Sequence, residues 1–204
     1  MKLELYEAGP TRSARCRWTL LELGLPFETA GGREKMGDPG FRGIHPLSKL
    51  PALVVDGRPM FESAAICTWL ADSVPDKGLI AQPGSWDRAM HEQWSYFALA
   101  EMEPHVWSIT RNTRIYPEDR RVAAVLPQNE AEFRHAAGAL DAALAGREYL
   151  VGDAFSVTDI IVAYAANWGR LLRLTGDCPN VEAWLDRLYT REHCTLSRPK
   201  PKAA

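Results

Sequence analysis

The chain has 204 residues with 24 basic and 26 acidic side chains, a net charge of -2, which is long enough to bury a core without disulfides or a metal. Residues 1–80 carry ten charges of each sign, so no half forms the basic field of a polyanion binder, and neither nucleic acid nor membrane is expected as a partner. Apolar runs are too short for a signal peptide or a membrane span, and Cys16, Cys67, Cys178 and Cys194 lack disulfide or zinc spacing, so a cytoplasmic chain with buried free thiols and no metal is expected.

Residues 2–6 alternate as a strand, and a helix is predicted over 13–23 with Cys16, Leu20 and Leu23 inward and Gly24 as its stop. Pro26–Thr29 can open a second strand. The glycine-rich stretch 30–43 offers little to a core and is read as a loop with a short irregular helix. A hairpin follows, 51–55 and 58–61 around Asp56-Gly57, then a helix over 63–73. Residues 1–78 therefore read as a compact α/β domain, and the turn-rich residues up to 85 as a linker. From 85 to 197 only helices are expected: one over 86–111 kinked by Pro104, one over 129–145 after an interruption at Pro127, and one over 181–191 capped by Asn180. Between the last two, Ser156 with Asp159 forms a capping box that starts another helix. Residues 198–204 read as a disordered tail.

The segment His45-Pro46-Leu47-Ser48-Lys49-Leu50-Pro51-Ala52-Leu53 is the most informative. Pro51 has no amide to give a ladder, so it must stand at an edge or before pairing begins, and a cis bond would satisfy this. The Leu50 backbone would then face outward, open to an extended peptide ligand. His45 reads as a turn residue. Glu62-Ser63 lies where strand becomes helix; Ser63 can cap there, and free amides at a positive dipole end await a carboxylate. An acid for an ammonium beside amides for a carboxylate suits the α-carbon end of an amino acid.

Lys49-Leu50-Pro51, then Glu62-Ser63-Ala64-Ala65-Ile66, then Phe155–Asp159, in this order and spacing, resemble the glutathione transferase family along nearly the whole chain. The resemblance is to its bacterial-like cytosolic members of the serine/threonine type. It implies an N-terminal thioredoxin-like domain followed by a C-terminal helical bundle, a homodimer, and glutathione as co-substrate. It further implies that Lys49 reaches the glycine carboxylate of glutathione, that Leu50 pairs main chain to main chain with the cysteinyl unit, and that Glu62 and Ser63 hold the γ-glutamyl end.

The nucleophile is then the glutathione thiolate, which a hydroxyl near a helix N-terminus can stabilise. Counting back four residues from Arg15, as the resemblance implies, gives Thr11; Ser13 is the rival, and either could instead cap the helix. No cysteine stands at this place, which argues against disulfide exchange. A small hydrophobic electrophile would be the second substrate, with Trp94, Met102, Trp107, Arg111, Tyr164 and Trp168 available to it. A glutathione-dependent isomerase or peroxidase, or a non-catalytic interaction module, are the alternatives.

Overall fold

The computed structural model describes Met1–Pro199; positions 200–204 of the expected tail lie outside the described residues. The chain divides into two compact units. One is Met1–Ala81 with Glu192–Leu196, and the other is Gln82–Arg191 with the residues from Ser197. The return of 192–196 to the first unit has no sequence signal; there the Thr195 hydroxyl donates to the Ala14 carbonyl (2.7 Å). Arg198 is anchored within the second unit, donating to the Tyr189 carbonyl (2.7 Å).

The first unit contains strands β1 (Leu3–Tyr6), β2 (Glu28–Gly31), β3 (Ala52–Val55) and β4 (Arg58–Phe61) and helices α1 (Ser13–Leu23) and α2 (Ser63–Asp72). The sheet order is β2-β1-β3-β4, with β1 parallel to β2 and the other pairs antiparallel. Leu3 and Leu5 alternate into the core with Glu4 and Tyr6, while β3 is buried at all four positions between two neighbours. Asp56 and Gly57 both take positive φ (48° and 81°), the pair of left-handed residues that a two-residue hairpin with the right twist requires. Helix α1 ends at Gly24 (φ 68°), whose N–H returns to the Leu20 and Leu21 carbonyls. This is a thioredoxin-like arrangement followed by an all-helical unit.

The stretch 30–43 differs from expectation. It contains two 3-10 turns, Arg33–Lys35 and Pro39–Gly43, and it does give the core one residue: Phe41 is buried with Leu50 and Ala52, its ring 4.9 Å from that of Tyr6.

The second unit is built from α3 (Trp86–Phe97), α4 (Glu103–Thr110), α5 (Leu126–Leu144), α6 (Val157–Leu171) and α7 (Pro179–Tyr189). Pro104 does not simply kink one helix. A π segment, Ala98–Met102, precedes it, because a proline has no N–H to give and its ring displaces the carbonyl four residues earlier. Pro127 does not interrupt either: it sits in the first turn of α5, where its missing N–H costs nothing. Nor does Asn180 cap α7. The cap is the Asp141 carboxylate of α5, which accepts from the Asn180 and Val181 amides (2.7 and 2.9 Å).

The capping box forms as read, with Ser156 accepting from α6 and Asp159 accepting from the Ser156 amide (2.9 Å). Asp159 also accepts from the Leu150 amide and the Trp184 indole, both at 3.0 Å. It thereby joins a loop, α6 and α7.

Candidate functional site

The register of the sheet gathers the singled-out segments. Tyr6 at the end of β1 pairs with Ala52 at the start of β3, and Ala52 pairs with Phe61 at the end of β4. The loop leaving β1 (7–12), the residues entering β3 (Lys49, Leu50, Pro51) and the junction after β4 (Glu62, Ser63) therefore emerge at one end of the sheet.

In the first loop, Thr11 and Ser13 share a hydrogen bond (2.7 Å). Thr11 Oγ1 donates to the Ala8 carbonyl (2.5 Å) and accepts from the Ser13 amide (3.2 Å), and Ser13 Oγ accepts from the Ala8 amide (3.4 Å). With the Thr11 proton on Ala8, the Ser13 hydroxyl must donate to Thr11. Thr11 is half-buried, whereas Ser13 is 1% exposed. Neither is the N-cap by position; that residue is Arg12, which makes no side-chain cap bond. Arg33 Nη2 holds the loop from outside by donating to the Gly9 carbonyl (2.7 Å).

Leu50-Pro51 is cis, as the sequence led us to expect, and Gly9-Pro10 is cis as well. The Leu50 side chain is buried against Phe41, while its N–H and C=O have no hydrogen-bond partner among the described residues. Lys49 beside it is exposed. His45 closes the preceding turn: its Nδ1 accepts from the Leu47 amide (3.1 Å) and its carbonyl from the Ser48 amide (2.8 Å). Burial lowers the His45 pKa, the Lys49 cation adds to this and the Glu62 carboxylate opposes it, so the imidazole is a neutral turn brace.

Ser63 does not cap α2. The N-cap is Glu62, at φ 71° and ψ 110° and without a side-chain cap bond. A positive φ at a non-glycine is strained by about 1–3 kcal/mol and is held only where surroundings dictate it. The consequence is that the Glu62 carboxylate stands exposed at the site and the amides of Ser63, Ala64 and Ala65 have no acceptor among the described residues. Ser63, 3% exposed, accepts from Arg15 Nη1 (3.2 Å), leaving its own hydroxyl hydrogen to donate.

Arg15 is the residue that sequence reasoning used only as a marker for counting. It is 1% exposed and ties α1 to α2. A charged residue flanked by inward positions such as Cys16 was the available signal. Cys16 is fully buried, its thiol turned to the Ser63 carbonyl (3.8 Å), and burial pushes its pKa well up, so it is inert as a nucleophile. Among the described residues no group of three or more histidine, cysteine, aspartate or glutamate side chains could hold a metal ion.

The family model "Glutathione S-transferase, N-terminal domain" matches residues 11–73, and "Glutathione S-transferase, C-terminal domain" matches 98–192. The chain belongs to the glutathione S-transferase family. The transferase hmp2 of Hypomyces subiculosus is 30% identical over 94% of this chain and 95% of its own length. Elongation factor 1-gamma of Prunus avium is 31% identical over 72% of the chain but only 35% of its own. Ure2p5 from Phanerochaete chrysosporium, solved with 1-(S-glutathionyl)-2,4-dinitrobenzene, shares the fold at a TM-score of 0.83 and 21% identity, covering 95% of this chain and 91% of that one.

Proposed function

We propose that this glutathione S-transferase uses the Thr11 hydroxyl to hold the sulfur of glutathione as its thiolate, ready to attack a small hydrophobic electrophile. The observation that carries this reading is the convergence at one sheet end of an accessible hydroxyl, an unpaired main-chain N–H and C=O at Leu50, and a carboxylate beside unpaired helix amides. Extended glutathione would pair along Leu50. Its α-ammonium would meet Glu62, its α-carboxylate the Ser63 hydroxyl and the α2 amides, and its glycine carboxylate Lys49.

The Thr11 proton must turn from the Ala8 carbonyl to the sulfur. The Ser13 hydroxyl has its hydrogen committed to Thr11 and keeps the Thr11 acceptor capacity filled, so Ser13 positions and Thr11 acts. In the displacement, sulfur forms a bond to the electrophilic carbon, the leaving group departs with its electron pair, and the thiol proton has already gone to solvent. The electrophile's identity and an isomerase or peroxidase use of the same cradle are decided by substrate, not by this site.

Turnover of 1-chloro-2,4-dinitrobenzene tests the reading. Thr11→Ala should raise the pKa of bound glutathione and lower kcat by about ten- to a thousandfold, as for loss of one anion-stabilising donor. The KM for glutathione should move little. Full activity in Thr11→Ala would refute the role. The likeness to elongation factor 1-gamma favours a second reading, a non-catalytic interaction module; absence of both turnover and retention on immobilised glutathione would favour that module over the enzyme. We further propose a cytoplasmic homodimer engaged in detoxification, with a monomer mass by light scattering at micromolar concentration counting against the dimer.

A further inference from the structure

In the helical unit, the stretch that follows α4 gathers three guanidiniums at one tyrosine, two of them at its ring and the third on its carbonyl. A π turn over Arg111–Ile115 is closed by the Tyr116 amide donating to the Arg111 carbonyl (2.9 Å). This i→i+5 closure brings Tyr116 back over Arg111, where an α-helix would carry it to another face. Arg111 Nη1 donates to the Tyr116 hydroxyl (3.2 Å), Arg121 Nε donates to the Tyr116 carbonyl (2.8 Å), and Arg120 lies 5.1 Å over the Tyr116 ring. The other neighbour of Arg111 is the Trp107 ring at 5.5 Å, itself 6.0 Å from Trp168.

These charges lack a counterion. Glu118 and Asp119 stand in the same loop, yet among the described residues none of the three arginines has a carboxylate within 4.0 Å. The buried Arg111 Nε has no hydrogen-bond acceptor. A half-buried guanidinium between aromatic faces gives up hydration and recovers only part of it from the rings, and like-charged neighbours add repulsion. The missing partner is an anion, and the planar fork of arginine suits a carboxylate.

We propose that Arg111 and Arg120, with the rings of Tyr116 and Trp107 beside them, form a binding site within the helical unit for the carboxylate of a flat aromatic compound.

The full chain is titrated with 4-chloro-3-nitrobenzoate and with neutral 1-chloro-2,4-dinitrobenzene, followed by tryptophan fluorescence. Arg111→Met should weaken benzoate binding about ten- to a hundredfold more than binding of the neutral compound, the scale of a lost hydrogen bond to a charged group. Arg111→Lys should fall between. Should Arg111→Met fail to melt cooperatively, Arg111→Lys and Arg120→Gln are read by the same ratio. Equal losses for both compounds, or none, in folded protein would overturn the proposal.

Discussion

Asp159 is fully buried and accepts from four donors: the Leu150 amide and Trp184 indole at 3.0 Å each, the Ser156 amide at 2.9 Å and the Ser156 hydroxyl at 3.2 Å. Asp159→Ala removes half the capping box and orphans two donors on residues that are themselves buried. The first loss costs about 1 kcal/mol and each orphan about 1–3 kcal/mol, together about 3–7 kcal/mol. Set against a whole-domain stability of about 5–15 kcal/mol, that is enough to bring the helical unit near unfolding. Urea titration followed by tryptophan fluorescence measures it. Asp159→Asn keeps one oxygen for Leu150 and Trp184 but sets an amide group against the Ser156 N–H, so it should fall between. Burial pushes the Asp159 pKa up against the pull of its donors. The folded chain thus holds this proton to higher pH than the unfolded chain does. The titration of Asp159 contributes most below the unfolded pKa, and that contribution is lost as pH rises through the window between the two values. The difference in unfolding free energy between wild type and Asp159→Asn should shrink across that window. An Asp159→Ala stability within about 1 kcal/mol of wild type would show that the four contacts are not the source of stability assigned to them.

Ser13→Ala should lower stability by about 1 kcal/mol and reduce turnover less than Thr11→Ala does, read from paired urea and steady-state measurements; an equal loss of turnover would place Ser13 at the sulfur. Glu62→Ala should raise the KM for glutathione with kcat nearly unchanged, since the carboxylate is a ground-state contact remote from sulfur, and an unmoved KM would exclude it from the cradle. Glu62→Gly should match that KM yet unfold at higher urea than Glu62→Ala, because glycine alone tolerates φ 71° freely. Gly169→Ala would set a Cβ 2.0 Å from Phe133 Cζ in the core and should cost about 1–3 kcal/mol in the urea midpoint, as overpacking does.

What could be read in the sequence was what the chain states locally. Alternation in Leu3–Tyr6, the Asp56-Gly57 turn and the Ser156 box each carry their cause within a few residues. What could not be read depends on partners distant along the chain. Asp141 caps α7 from 39 positions away, so a local search finds Asn180 instead. Phe41 reaches the core because Tyr6, Leu50 and Ala52 form a place for it, and nothing in the glycine-rich run around it announces that. The prolines show the same division. Pro127 is a breaker by rule, and only the helix actually formed reveals it as a first-turn residue.

The site divides along the same line. Thr11 and Ser13 are two hydroxyls two residues apart at one helix start, and local chemistry makes them equivalent. Their difference is set by Ala8 on the preceding loop: its carbonyl takes the Thr11 proton and its amide gives to Ser13, which fixes the order of the chain of hydrogen bonds. Burial then leaves one end of that chain closed and the other open. On the reading proposed above, a thiolate at the open end would compete with a single backbone carbonyl for the Thr11 hydroxyl hydrogen. Because the Ala8 carbonyl is neutral and a thiolate is charged, the charge-assisted bond would win. The loop that orders the two hydroxyls would then also present the donor that a thiolate needs.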